Sequence, residues 1–314
     1  MFHRHFITLA WLLLVVSCTS PSTPDSAARA QVEPTAEILG EAHKVLREGQ
    51  RISLWEKRLA GNDPRPVMVL VHGATWSGRP DFDLQIRGYS AMDAFAGAGW
   101  DVFAIDILGY GDSDEPVGES WSHTADAVKD LRAAIEWITT ERGVEEVALL
   151  GWSWGAQIAG AYSNQYPESV ERLLLMGFTW GRGFPKRDAP TTRYRTNTAE
   201  AAASDFIEGC YEQDVVDEYV KVSLAADPVS PNGVLVDFSQ HLPLVDPTAL
   251  PMPVMLLYGE HEVDSARLDD ATAFLDLVGS TGKSLVILEG GGHAVLLEKP
   301  HRRWQQTVLA HFAH

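Results

Sequence analysis

Apolar residues follow two rhythms along this chain. Short, mostly unbroken apolar runs stand at 67–71, 102–106, 147–150, 172–176, 254–258 and 285–288. Runs of that length suit strands buried on both faces. Between them the spacing changes. Ala127, Val128, Leu131, Ala134, Ile135 and Ile138 recur at helical intervals, and Gly143 stands where a helix would stop. Helical stretches are also predicted over 156–166, around 268–278, and from about Arg302 to the end. Residues 51–59 read as an early strand in a hairpin across Glu48-Gly49-Gln50. Strand and helix in alternation predict an α/β fold, with a mostly parallel central sheet covered by helices on both faces.

One stretch breaks the rhythm. Residues 178–250 separate two core strands that a short crossover could join, and they carry helical patches at 200–208 and 215–224 with several prolines. A loop of that length is uncommon, so the segment is expected to be an inserted, mainly helical cap. The core is then 41–177 together with 251–314.

The first residues follow neither rhythm. A short basic start (His3, Arg4, His5) precedes an apolar run over 6–16, too short to cross a bilayer and of signal-peptide proportions. Val15-Val16-Ser17-Cys18 resembles the bacterial lipobox, with valine where leucine is more usual. The resemblance implies a signal peptide over 1–17 and acylation of Cys18. Residues 18–40, rich in Ser, Thr, Pro and Ala, would form a flexible tether. The expected location is the cell envelope: the outer membrane in a cell with two membranes, otherwise the outer face of the cytoplasmic membrane. Only Cys210 would remain free, so no disulfide framework is available. The formal charge of −18 argues against nucleic-acid partners, whose phosphates would repel the chain.

Ser153 carries the chemistry. It lies in Gly151-Trp152-Ser153-Trp154-Gly155, directly after the run 147–150 and before the predicted helix 156–166. A serine hydroxyl is a useful nucleophile only when exposed, held in one geometry and set beside a base. A sharp strand-to-helix turn provides the exposure and leaves no room for side chains two residues on either side, hence the glycines.

With the serine, the strand order and the insertion together, the chain resembles the α/β-hydrolase family from about Glu41 onward, the cap excepted. The resemblance implies further residues. His72-Gly73-Ala74 follows the 67–71 strand as the family's oxyanion turn does, so the backbone amides of Ala74 and Trp154 would hold the developing oxyanion. His72 itself would be structural. His293, after Glu289-Gly290-Gly291-Gly292, stands where the family's chain order of serine, acid and histidine puts the base, and 293–300 closely resembles the family's stretch there. The family usually places an aspartate three residues after the glycine that ends the preceding strand. Here that position is Glu262, with Asp264 as the rival. His261-Glu262 begins like a zinc-protease helix, but the fifth residue is Ser265, so that motif fails.

Some relatives in the fold, haloalkane dehalogenases and epoxide hydrolases, use an aspartate nucleophile, and Ser153 rules out that chemistry. Trp154 resembles the tryptophan that follows the nucleophile in those enzymes. Trp76, Trp152 and Trp180 fall on or beside the loops at the C-terminal edge of the sheet and are candidate pocket residues, although some indoles would simply pack the core. Arg182, Lys186, Arg187, Arg193 and Arg195 make the early cap locally basic; they are expected to pair with the acidic stretch 200–218 rather than to dock an anionic substrate. The expectation is a serine hydrolase forming an acyl-enzyme on carboxylic esters with small apolar or aromatic acyl groups, without metal or organic cofactor. Carbon–carbon hydrolysis of a diketone-like acid is the alternative on the same residues. A binding protein built on the hydrolase scaffold is the alternative from another class.

Overall fold

The computed structural model describes residues 37–61, 63–118, 120–182 and 185–313. The expected signal peptide, Cys18 and most of the expected tether lie outside them. Among the described residues no helix is long and apolar enough to cross a membrane.

The described residues form ten strands in chain order: β1 (Ile38–Arg47), β2 (Gln50–Leu59), β3 (Val67–Val71), β4 (Asp101–Asp106), β5 (Val147–Trp152), β6 (Val170–Met176), β7 (Tyr194–Thr196), β8 (Val229–Pro231), β9 (Val254–Gly259) and β10 (Lys283–Leu288). Eight form one sheet in the order β1-β2-β4-β3-β5-β6-β9-β10. From β4 to β10 all neighbours are parallel, and only the β1–β2 hairpin and the β2–β4 pair are antiparallel. β3 and β5 are buried at every residue, as their unbroken apolar runs require. Each fully buried Val or Leu there contributes about 1.5–3 kcal/mol.

β1 begins at Ile38, three residues inside the stretch read as tether, because Ile38 pairs with Leu59 across the hairpin. Its burial is patchy and its middle exposed, so no clean alternation marks it in the sequence.

Among the described residues there are nine helices: α1 (Gly78–Phe82), α2 (Ala91–Gly97), α3 (Thr124–Arg142), α4 (Trp154–Gln165), α5 (Ala199–Ala203), α6 (Gln213–Ala226), α7 (Gly233–Gln240), α8 (Ser265–Leu277) and α9 (His301–Phe312). α3 ends at Gly143 in the left-handed conformation. Two apolar layers flank the sheet. One includes Leu131, Ile135, Ile158 and Phe274, the other Phe95, Trp304, Val308 and Phe312. The segment 178–250 holds α5, α6, α7 and the small β7–β8 ribbon between β6 and β9.

Candidate active site

Ser153 occupies a strained turn between β5 and α4, with φ +57° and ψ −110°, in a region that a non-glycine residue adopts only when its surroundings hold it there. Its amide donates to the Met176 carbonyl at 2.8 Å. The flanking glycines have steric reasons. A Cβ on Gly151 would lie 2.1 Å from the Gly155 carbonyl oxygen, and one on Gly155 would lie 2.1 Å from that of Val71. Neither position admits any other residue.

His293 arrives on the loop after β10. Trp152, one residue before the serine, donates its indole N–H to the His293 carbonyl at 3.0 Å, and the two rings lie 5.7 Å apart. Beneath the imidazole is Gly177, immediately after Met176; a Cβ there would meet His293 Cε1 at 2.7 Å. The imidazole therefore sits beside the strand end that holds the serine amide. Its Nδ1 lies 2.7 Å from Glu262 Oε2. The rival acid is engaged elsewhere: Asp264 caps α8 by accepting the Arg267 amide at 2.8 Å. Burial alone would lower the His293 pKa. The hydrogen bond that Nδ1 donates to Glu262 and the charges of Glu262 and Asp205 outweigh it, so the net displacement is upward.

The turn after β3 is fixed peptide by peptide. The Gly73 amide donates to Asp81 Oδ2 at 3.1 Å. The Gly73 carbonyl, which belongs to the same peptide unit as the Ala74 N–H, accepts from His72 Nδ1 at 2.8 Å. Burial holds His72 neutral, its pKa lowered to about 4, and its Nε2 accepts the Ile107 amide at 3.1 Å, which leaves the proton on Nδ1. The Ala74 carbonyl accepts from the Tyr110 hydroxyl at 2.8 Å and from the Arg195 guanidinium.

Further residues of 178–250 hold the same loop. Ser230 Oγ donates to the Thr75 carbonyl at 2.7 Å, and Asp227 accepts both the Ser77 amide and its hydroxyl at 2.8 Å. Asp227 also accepts the Gly111 amide at 2.7 Å. Prearranged amides of this kind suit an oxygen that gains negative charge during reaction.

Acids gather around the turn and the imidazole. Burial pushes the Asp81 pKa well above the carboxylate range, against the bonds from Gly73 and from the Tyr219 hydroxyl at 3.0 Å. Asp205, also raised by burial, lies within electrostatic reach of His293, Glu262, Asp81 and Tyr219. The loop carrying Asp205 is tied to the histidine loop through Glu298, which accepts the amides of Ile207 and Gly292.

All three candidate pocket indoles are almost fully buried. Trp152 and Trp76 share one apolar layer, Trp152 against His293 and Trp76 edge-on to Tyr219 at 6.5 Å. Trp180 lies in the other layer, on Phe274, with its N–H on the Val245 carbonyl at 3.0 Å. Trp154 packs between Tyr110 and His72 and donates to Thr124 Oγ1 at 3.0 Å.

The basic cluster departs from expectation. Arg193 and Arg195 do not pair with the acidic stretch 200–218. Arg193 donates to the carbonyls of Gly118 and Ser120, and Arg195 to those of Ala74 and Pro231. Glu212 and Asp214 are taken instead by Arg87 of the core. Backbone carbonyls of a loop leave no trace in residue composition, so sequence reasoning matched charge to charge. Asp81, Asp205, Asp227 and Gly177 gave no motif signal at all.

Residues 62–300 match the family model described as serine aminopeptidase, S33. A 2-hydroxy-6-oxononadienedioate/2-hydroxy-6-oxononatrienedioate hydrolase of Paraburkholderia phymatum is 34% identical over 43% of this chain and 44% of its own length. Mouse epoxide hydrolase 4 is 31% identical over 38% of this chain and 30% of its own. The matched stretches thus span less than half of these relatives. Among solved structures, the 2-hydroxy-6-oxo-6-phenylhexa-2,4-dienoate hydrolase of a Rhodococcus strain superposes with a TM-score of 0.62 at 20% identity, over 88% of this chain and 99% of that one. With a parallel sheet of this order, a strained serine turn between β5 and α4 and a family match over most of its length, the chain belongs to the α/β-hydrolases, in the family described as serine aminopeptidase, S33.

Proposed function

We propose that the protein is a serine hydrolase that cleaves carboxylic esters through an acyl-enzyme, with Ser153 as nucleophile, His293 as base and Glu262 as the acid that orients it. The observation that carries this reading is the His293 Nδ1 contact with Glu262 at 2.7 Å, beside a serine held at φ +57°. With Nδ1–H committed to the glutamate, Nε2 is the free base. Ser153 Oγ attacks the ester carbonyl and gives its proton to Nε2. The carbonyl oxygen becomes an anion facing the Ala74 and Trp154 amides. Nε2 then protonates the departing alcohol, leaving an ester on Ser153. Water repeats the sequence, losing its proton to Nε2, and releases the carboxylic acid and the free serine.

Carbon–carbon hydrolysis is the second reading. It draws on the name of the Paraburkholderia relative and on a cavity of about 340 Å³ lined by Arg187 and Arg267, cations that could meet a carboxylate, as well as by Asp264 and Asp270. The net charge of −18 weighs against an anionic substrate and favours the ester reading.

The experiment is a panel of esters, lactones, amides and diketone acids, run with a fluorophosphonate label on the parent and on Ser153→Ala. Ester turnover and labelling are expected in the parent, and neither in the variant. Labelling that persists without Ser153 removes it from the role, and turnover of diketone acids alone reverses the order of the two readings.

A further inference from the structure

Two imidazoles converge on one buried carboxylate far from any motif in the sequence. His123 Nδ1 lies 2.8 Å from Asp237 Oδ1, and His241 Nδ1 lies 2.9 Å from the same oxygen. The three ligand atoms all lie within 4.8 Å of one another. Small ring rotations would bring them to about 2.0–2.2 Å from a single ion, the bond lengths of zinc to nitrogen and oxygen. Asp237 and His241 stand four residues apart at the end of α7, on one helix face. His123 is the residue preceding α3. The remaining carboxylate oxygen of Asp237 accepts the Thr124 amide at 2.6 Å, which fixes the carboxylate plane as a second hydrogen bond does for metal-bound carboxylates.

Charge makes the arrangement informative. Asp237 is only 3% exposed, and among the described residues no lysine or arginine pairs with it. The two imidazoles and the Thr124 amide are what meets its carboxylate, and buried charges are as a rule paired or bound to a metal. The two histidine side chains are 33% and 52% exposed, so an ion can enter from solvent.

We propose that His123, Asp237 and His241 bind one divalent transition-metal ion of the zinc class, completed by water, and that it staples α7 to the start of α3. Two imidazoles and a carboxylate are a donor set suited to zinc, cobalt or nickel rather than to magnesium or calcium. The site takes no part in the reaction proposed above and does not depend on it. Because α7 belongs to 178–250 and α3 to the core, the ion would stabilise that junction through linkage to folding.

The test is titration of the chelator-treated full chain with Zn²⁺ and, as an optical probe, Co²⁺. One ion per chain is expected, with a higher thermal midpoint in zinc and the visible bands of four-coordinate cobalt. His241→Ala, at a half-exposed position, should weaken binding at least about tenfold. The double variant His123→Ala, His241→Ala should abolish it with an unchanged circular dichroism spectrum, and Ser153→Ala should bind as the parent does. A parent dissociation constant weaker than about 1 mM, or affinity unchanged in the double variant, overturns the proposal.

Discussion

Glu262 meets His293 although its side chain is one methylene longer than the aspartate usual at that position. The strand end turns into a short 3-10 segment (Glu260–Glu262), and Glu262 Oε1 folds back to accept the Gly259 amide at 3.0 Å, leaving Oε2 for the imidazole. Glu262→Gln is expected to cost roughly 10⁴ in turnover, by analogy with the serine-protease acid, because the histidine then favours the wrong tautomer. Asp264→Ala removes a helix cap and should cost about 1 kcal/mol of stability while turnover stays near the parent value. Kinetics and thermal unfolding of the two variants check this, and the opposite ordering would move the role to Asp264.

In the proposed mechanism His293 acts as base only when neutral, and its pKa is raised, so the acid limb of kcat/KM should lie above the ordinary histidine value. Asp205→Asn removes one of the charges that raise it. That variant should move the limb to lower pH and keep turnover, a displacement readable in the pH profile of kcat/KM.

At the scale of elements, 178–250 grips the turn that follows β3. Arg195 from β7 bonds the Ala74 carbonyl, Ser230 from β8 bonds that of Thr75, and Asp227 after α6 bonds Ser77. The Ala74 carbonyl is one peptide beyond the Ala74 amide, so Arg195 is a positioning residue for that amide. Arg195→Met should lower kcat by about tenfold to a hundredfold, the scale of a displacement of about 1 Å at a reacting centre, with little change in KM. Equal loss of kcat and folded protein would instead mark the contact as structural only, which a parallel thermal melt would reveal.

These contacts also show what the sequence hides. The serine turn, the histidine loop and the parallel strands are legible because each carries a local pattern: glycines where backbones touch, apolar runs where strands are buried. Arg195 and Asp227 reach residues 121 and 150 positions away. Both reach backbone groups there, the Ala74 carbonyl and the Ser77 amide, and no periodicity or charge match announces such a bond. β1 stays obscure for another reason, as an edge strand with exposed residues at its middle.

Across the whole molecule, the charge of −18 sets the field through which a substrate approaches. The structure sharpens its effect near the serine. The guanidiniums of Arg193 and Arg195 are turned onto carbonyls, and the charge of Asp205 reaches His293 and Glu262. Arg187 of the basic cluster lines a cavity together with Arg267, whose Nη1 is 3.8 Å from Glu262. Matched esters, one neutral and one bearing a carboxylate, should therefore differ in kcat/KM in favour of the neutral one. The gap should narrow with salt, because screening shortens the reach of the field from about 30 Å at 0.01 M to about 8 Å at 0.15 M. A residual preference at high salt would report short-range repulsion, and Asp205→Asn should reduce it. If the carboxylate-bearing ester is preferred instead, and Arg187→Ala removes that preference, the cavity beside Glu262 receives an anionic substrate group. Carbon–carbon hydrolysis of a diketone acid then becomes the better account of the same serine, histidine and glutamate.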